Sequence, residues 1–122
     1  MAKKILVVDD EKDLVMTLSY RLKANGYEVV AAGDGEEALK KARTENPDLI
    51  LLDLMLPKLD GYKVCKVLKS EEKYKNIPII IFTARAQEID KDLSREALAD
   101  AYMTKPFEPQ ALLSKIEELL AK

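Results

Sequence analysis

The sequence predicts a doubly wound α/β fold, in which helices cover both faces of a parallel β-sheet. Two observations lead to this prediction. Short apolar runs alternate with longer segments whose apolar residues recur at helical spacing, and the pair repeats five times within 122 residues. The apolar runs are also nearly continuous, which is typical of strands buried on both faces. Parallel neighbours need crossover connections, and the intervening helices supply them.

The five predicted strands are apolar, and several stop at a polar residue. The first and third runs end before aspartates, and the fourth ends before a threonine. Such a stop limits each strand to three or four buried residues, as expected for a strand in a small sheet. The strands are residues 5–8, 29–31, 49–52, 79–82 and 101–103.

The helices between the strands are predicted from apolar stripes and from terminal signals. Asn25 and Gly26 suit a left-handed C-terminal cap after the first helix. Asp34 and Glu37 have the spacing of a capping box at the start of the second, which ends before Pro47. The stripes are Leu14, Leu18 and Leu22 in the first helix, Val64, Val67 and Leu68 in the third, Ile89 and Leu93 in a weaker fourth, and Leu112, Ile116 and Leu119 in the fifth.

Composition predicts a single domain, residues 1–122, located in the cytoplasm. The chain is 48% hydrophobic and 34% charged, and no stretch has the composition of a linker. A net charge of -2 gives no basic surface for nucleic acid or a membrane, and no apolar run is long enough to span one. There is no histidine, and the lone Cys65 is interpreted as a small buried hydrophobe. The chemistry must therefore use carboxylates, hydroxyls and amines.

Polar residues follow the predicted strands at the carboxyl edge of the sheet, where doubly wound sheets bind ligands. Asp9 and Asp10 follow the first strand, and Asp53 follows the third. Thr83 and Lys105 follow the fourth and fifth. Taken singly, these residues could be a helix cap, a strand end and a solvated lysine. Three clustered carboxylates repel one another, however, and Mg²⁺ is the hard cation that would compensate that repulsion.

Together these residue types predict phosphoryl transfer. With the negative charge neutralised, the Asp53 carboxylate can attack a phosphoryl group as a nucleophile. Lys105 and the Thr83 hydroxyl can hold its equatorial oxygens in the transition state. A carboxylate nucleophile needs no histidine base, so the composition is consistent with this chemistry.

Four segments carry a resemblance that extends over essentially the whole chain. They are Val7-Val8-Asp9-Asp10, Leu51-Leu52-Asp53-Leu54-Met55-Leu56-Pro57 with Asp60-Gly61, Phe82-Thr83-Ala84, and Tyr102-Met103-Thr104-Lys105-Pro106-Phe107. In these segments the chain resembles a receiver domain of bacterial two-component response regulators. The resemblance implies a flavodoxin-like fold with five helices and strand order 2-1-3-4-5.

The resemblance also implies roles at the predicted site. Asp53 would be phosphorylated by a partner histidine kinase or phosphotransfer protein in a phosphorelay. Mg²⁺ would be bound by Asp10, Asp53 and the backbone carbonyl of Met55, with Asp9 contributing through water. The peptide bond between Lys105 and Pro106 would be cis, which only X-Pro bonds allow at a cost of about 0.5–1 kcal/mol.

A switch is implied as well. Tyr102 would respond to phosphorylation together with Thr83, and the face formed by the fourth helix, fifth strand and fifth helix would contact a downstream output domain or protein, or a second copy in a phosphorylation-dependent homodimer. The alternative is that Tyr102 is simply an amphipathic residue at the sheet edge. Met55 and Arg85 are expected to tune the lifetime of the phosphate. Leu98 is a departure, because receivers often have a glycine there.

Two other functions stay open at this stage. One is a Mg²⁺-dependent phosphatase or phosphotransferase with an aspartyl-phosphate intermediate, of the haloacid dehalogenase class. That class has an Asp-x-Asp nucleophile motif, whereas this chain has Asp53-Leu54-Met55. The other is a pseudo-receiver that only binds partners, which the intact set of acids, Thr83 and Lys105 disfavours. The prediction is a phosphoacceptor that assists its own phosphorylation and slow dephosphorylation and is not otherwise an enzyme.

Overall fold

The computed structural model describes residues 2–84, 98–106 and 108–121. The described residues form five strands and four helices. The strands are β1 (Lys4–Val8), β2 (Glu28–Ala32), β3 (Leu49–Asp53), β4 (Ile79–Thr83) and β5 (Ala101–Thr104), and the helices are α1 (Lys12–Ala24), α2 (Gly35–Glu45), α3 (Gly61–Ser70) and α4 (Pro109–Leu120). Helix α4 is the fifth helix predicted from the sequence. The predicted fourth helix, with Ile89 and Leu93, lies outside the described residues, as do Arg85 and Phe107.

The five strands form one parallel sheet in the order β2-β1-β3-β4-β5, which confirms the predicted fold class and strand order. The pairing register aligns the strand ends at one edge. Val8 is level with Leu52, Asp53 with Phe82, and Thr83 with Thr104. Polar residues at or just beyond these ends are therefore brought to the same edge of the sheet.

Alternating side chains of each central strand enter two hydrophobic cores, one on each face of the sheet. One core contains Leu6, Leu52 and Ile81 and is covered by α2 and α3. The other contains Val7 and Phe82 and is covered by α1 and α4. This two-sided burial explains why the strands are continuous apolar runs.

The ends of α2 follow the predicted signals with one adjustment. The Asp34 carboxylate accepts a hydrogen bond from the Glu37 N–H at 2.8 Å. The Glu37 carboxylate accepts one from the Gly33 N–H at 2.7 Å, one residue before the cap, rather than from the N–H of the cap itself. At the other end, Asn46 has φ 48° and terminates the helix before Pro47 in the left-handed conformation.

The turn before β5 contains Leu98, the residue at which the sequence departs from the pattern of the family it resembles. Leu98 has φ 60°, a conformation that glycine adopts readily and leucine does not, and its side chain is exposed. The turn is held by Asp100, which accepts hydrogen bonds from the Ile79 N–H and from Lys69 Nζ, both at 2.8 Å.

None of the helices within the described residues has the length and apolarity that a membrane span requires.

Candidate functional site

Three carboxylates lie together at the carboxyl edge of the sheet. Asp53 is the last residue of β3, and Asp9 and Asp10 follow the neighbouring strand β1. One carboxylate oxygen from each residue lies within 4.8 Å of the other two. Asp9 and Asp53 are buried, whereas Asp10 is exposed. We call these three residues the acid cluster.

Asp53 lies in an environment that disfavours its charged form. Burial, followed by the negative charge of Asp9, raises its pKa to about 6. Two groups oppose this shift: Lys105, whose Nζ lies 3.6 Å from Oδ2, and the Met55 N–H, which donates to Oδ1 at 3.3 Å. The cation of Lys105 therefore compensates the acid cluster only in part.

Lys105 reaches into the acid cluster from the end of β5. Its Nζ donates a hydrogen bond to Asp9 Oδ2 at 2.8 Å and lies 3.6 Å from Glu11 Oε1. It also lies 4.9 Å from the centre of the Phe82 ring. Burial lowers the pKa of Lys105, but the hydrogen bond to Asp9 and the charge of Asp53 outweigh that effect, and the net shift is upward. The lysine therefore remains charged at neutral pH.

The backbone of Lys105 is hydrogen-bonded to the neighbouring strand. The Lys105 N–H donates to the Thr83 carbonyl oxygen at 2.6 Å, which joins the ends of β4 and β5. The peptide bond between Lys105 and Pro106 is cis. Thr83 itself is fully buried at the end of β4. The structure thus brings Thr83 and Lys105 to the same edge as the acid cluster.

The alternative interpretation of Asp9 is that it caps the first helix. Its Oδ1 accepts a hydrogen bond from the Glu11 N–H at 2.8 Å, next to the start of α1. The N-cap residue is Glu11, however, and its side chain makes no capping hydrogen bond. Asp9 therefore stabilises the turn before α1 with one oxygen and binds Lys105 with the other.

The side chains of Met55 and Tyr102 differ in how far they are buried. Met55, in the loop after β3, has an exposed side chain. Tyr102 is half-buried and packs against the core beneath α3, with its ring 6.4 Å from the ring of Tyr62 at an angle of 48°. An aromatic contact of this kind connects β5 to α3.

Gly61 has a role at the site that sequence reasoning did not assign. A Cβ at this position would lie 2.6 Å from the Asp53 carbonyl oxygen and 2.9 Å from the Leu54 Cα. The Gly61 N–H also donates to the Leu54 carbonyl oxygen at 2.9 Å. The missing side chain lets α3 begin directly against the backbone of Asp53. The sequence pair Asp60-Gly61 could have indicated this position, because aspartate is a common helix-capping residue. The Asp60 carboxylate accepts a hydrogen bond from the Lys63 N–H at the start of α3.

The donor set of the acid cluster suits a hard divalent cation. Carboxylate oxygens are the ligands that Mg²⁺ prefers, and one or two of them commonly suffice when phosphate oxygens complete the shell. Burial and then the charge of Asp9 raise the pKa of Asp53, and Lys105 offsets this shift only in part. A divalent cation at this place would supply the missing positive charge.

Comparison with known proteins agrees with this geometry. The sequence profile of the response regulator receiver domain family matches residues 5–117. The chain is 53% identical over its full length to the alkaline phosphatase synthesis transcriptional regulatory protein PhoP of Bacillus subtilis, and it covers 50% of that protein. It spans about half the length of the curated relatives it matches.

Solved structures with the same fold include two described with magnesium. One is the receiver domain of a sensor histidine kinase from Pseudomonas aeruginosa, with a magnesium ion in its active-site cleft; it is 30% identical, has a TM-score of 0.91, and all of each chain is covered. The other is the response regulator TrrA of Thermotoga maritima in complex with Mg²⁺-BeF, 40% identical with a TM-score of 0.86, where 96% of this chain and 98% of that chain are covered. The family match, the fold and the acid cluster together show that the chain belongs to the receiver domain family of response regulators.

Proposed function

We propose that this receiver domain accepts a phosphoryl group on Asp53. The observation that carries the proposal is the position of the Asp53 carboxylate at the end of β3, with the cation of Lys105 3.6 Å from Oδ2 and two further acids beside it. A nucleophile, a positive group for phosphoryl oxygens and a cation-binding cluster are the parts that phosphoryl transfer requires.

In the proposed step, an Asp53 carboxylate oxygen forms a bond to phosphorus. The bond between phosphorus and the nitrogen or oxygen of the donor breaks, and the leaving group departs with that electron pair. Lys105 and the Thr83 hydroxyl hold the oxygens on which charge develops. Lys105 must release part of its contact with Asp9 to do so, because its Nζ lies closer to Asp9 than to Asp53.

Asp9, Asp10, Asp53 and the backbone carbonyl of Met55 would hold Mg²⁺, Asp9 through water, and the metal would supply positive charge next to the phosphoryl oxygens. The magnesium named for the Pseudomonas receiver and the Mg²⁺-BeF named for the Thermotoga regulator support a magnesium site in a domain of this fold.

The switch is proposed to run through Thr83 and Tyr102. A phosphoryl group adds negative charge and acceptor oxygens that can attract the Thr83 hydroxyl. Tyr102 lies on the adjacent strand β5 and is half-buried, so a change in the depth of its ring would alter the surface near β5 and α4. That surface would contact the output domain or protein, or a second phosphorylated copy.

The partners follow from the same proposal. A histidine kinase or phosphotransfer protein in the cytoplasm would be the phosphoryl donor. The chain would act as one domain over residues 1–122, without direct contact to nucleic acid or membrane. It would turn over no separate substrate beyond its own phosphorylation and slow dephosphorylation.

The decisive experiment is incubation with acetyl phosphate or phosphoramidate and Mg²⁺, followed by intact-mass measurement. We expect the wild type to gain the mass of one phosphoryl group and Asp53→Asn to gain none. Asp13→Asn, which changes an exposed aspartate of α1, is the matched control and should behave as the wild type. Absence of an Asp53-dependent gain with every donor would exclude the phosphoacceptor function. Continuous hydrolysis of small phosphomonoesters that depends on Asp53 would favour the phosphatase alternative.

A further inference from the structure

We propose that Gly35 is a positioning residue for the loop after Asp53, and that its contact with this loop sets the affinity of the acid cluster for Mg²⁺. The loop comprises residues 54–60, connects β3 to α3 and is called the β3–α3 loop below. Gly35 is the first residue of α2, a different element of the fold. The inference rests on the proposed role of the Met55 carbonyl as a metal ligand.

Gly35 packs against the backbone of the β3–α3 loop with no room for a side chain. A Cβ on Gly35 would collide with the Leu59 carbonyl oxygen and would lie 2.5 Å from Leu59 Cβ and 2.9 Å from its carbonyl carbon. Backbone atoms cannot rotate away as the end of a flexible side chain can. The Gly35 N–H also donates to the Pro57 carbonyl oxygen at 3.4 Å. Any larger residue here must displace the loop.

The loop has a conformation that needs such support. Lys58 has φ 68°, and the Leu59 N–H donates to the Pro57 carbonyl oxygen at 2.7 Å, which together define a γ-turn with positive φ. This turn is rare and strained and persists where neighbouring structure holds it. Lys58 Nζ lies 3.6 Å from Asp34 and 3.8 Å from Glu36, so the first turn of α2 holds the loop by charge as well as by contact.

The other end of the loop is bound to the acid cluster. The Gly61 N–H donates to the Leu54 carbonyl oxygen, and the Met55 N–H donates to Asp53 Oδ1. These hydrogen bonds hold the residues on either side of the segment from Met55 to Leu59. A displacement at Leu59 must therefore be accommodated within that segment. Met55 lies in this short segment, and Mg²⁺ demands nearly ideal octahedral geometry. Moving the loop is expected to move the Met55 carbonyl out of that geometry.

Gly35→Ala tests the contact directly. We expect the Mg²⁺ dissociation constant of the full chain, measured by isothermal titration calorimetry, to rise about 10-fold or more, the range typical of lost support around a metal ligand. Alanine has the higher helix propensity, so a weaker helix would not explain the loss. The matched control is Gly33→Ala, whose Cβ would meet only the Glu37 carboxylate at 3.8 Å. It should retain wild-type affinity.

A second pair of variants separates positioning from electrostatics. Lys58→Met removes a positive charge from the β3–α3 loop, and by electrostatics alone the loss of a cation should not weaken the binding of another cation. We expect it to weaken Mg²⁺ binding instead, because the loop loses its ion pairs with α2, and we expect Lys58→Arg to restore the affinity. Lys40→Met, which removes an exposed lysine of α2, should not weaken binding.

Hydrogen exchange in EDTA distinguishes failure of this inference from failure of the proposed metal site. Peptides covering residues 54–61 should exchange faster in Gly35→Ala than in Gly33→Ala. Unchanged exchange there, or wild-type Mg²⁺ affinity in a folded Gly35→Ala, would overturn the positioning role. A wild-type chain that binds no Mg²⁺ would overturn the metal site, and exchange would still decide the role of Gly35. If circular dichroism shows that Gly35→Ala does not fold, the Lys58 variants decide it, and stronger binding by Lys58→Met would contradict the proposal.

Discussion

At the scale of single residues, Asp53 combines two opposing requirements. A nucleophile must be ionised, whereas burial beside Asp9 raises its pKa to about 6. Lys105 offsets this shift only partly, because its shortest contact is with Asp9. The free site therefore holds negative charge that a bound cation would neutralise.

The raised pKa predicts how stability depends on pH. The folded state holds the Asp53 proton more tightly than the unfolded state, so stability without metal should fall as pH rises from about 4 to 6. Asp53→Asn removes this loss, and we expect it to be more stable than the wild type by about 1–3 kcal/mol at pH 7.5 in EDTA. Urea denaturation across this pH range measures the difference, which should shrink towards pH 4. Asp13→Asn, at an exposed aspartate of α1, is the control, and a pH-independent difference for Asp53→Asn would contradict the assignment.

Met55 gives a second prediction at this scale. Its apolar, exposed side chain cannot orient water for attack on a phosphoryl group at Asp53. Replacing it with Asn or Glu should therefore accelerate loss of the phosphate several-fold, as followed by intact mass after the donor is removed. Met16→Asn, at an exposed methionine of α1, is the control. Unchanged or slower hydrolysis in the Met55 variants would show that the side chain only covers the edge of the site.

At the scale of elements, the turn before β5 departs from ideal geometry. Leu98 has positive φ, which costs an L-residue about 1–2 kcal/mol, and its exposed side chain recovers little by packing. The turn persists because Asp100 binds the start of β4. The strain is therefore compensated by contacts outside the turn.

Leu98→Gly should stabilise the fold. Glycine removes the positive-φ cost but loses about 0.5–1 kcal/mol of backbone entropy, so we expect a net gain of about 0.5–1 kcal/mol in the free energy of unfolding. Leu98→Ala removes the exposed apolar atoms beyond Cβ, retains the strain and should show no gain. Equal stability of the two variants in urea denaturation would contradict this explanation.

At the scale of the whole molecule, Lys69 and Asp100 join three separate elements. Lys69, near the end of α3, donates from Nζ to the Ile77 carbonyl oxygen at 2.8 Å, the Lys75 carbonyl oxygen at 3.1 Å and Asp100 Oδ2 at 2.8 Å. Its side chain is nearly buried, whereas that of Asp100 is about a third exposed. The pair connects α3, the start of β4 and the turn before β5.

Lys69→Met should destabilise the whole fold, because it leaves two carbonyl groups and a carboxylate without their cation. We expect a loss of about 1–3 kcal/mol, less than for a fully buried pair because water reaches Asp100. Lys63→Met, at an exposed lysine of the same helix, should cost less than about 0.5 kcal/mol. A double-mutant cycle with Asp100→Asn measures the coupling, and additive effects would show that the two residues stabilise the fold independently.

Much of the fold and part of the site follow from the sequence alone. Continuous apolar runs determined that the strands are buried on both faces, and helical spacing placed Leu18 and Leu22 in the core. The order of the strands came from the resemblance carried by the motifs. Asp9 and Asp53 could be placed together because the carboxyl ends of parallel strands lie at one edge of a sheet. Assigning the strands therefore also located the site.

Only the tertiary structure decided the contacts between segments distant in the chain. It paired Lys105 with Asp9 more closely than with Asp53, and it placed Gly35 against Leu59 and Gly61 against Asp53. Periodicity and propensity act over a few neighbouring residues, whereas these contacts depend on how closely two backbones approach after the sheet and helices have packed. The sequence therefore determined which residues reach the site, and packing determined which of them touch.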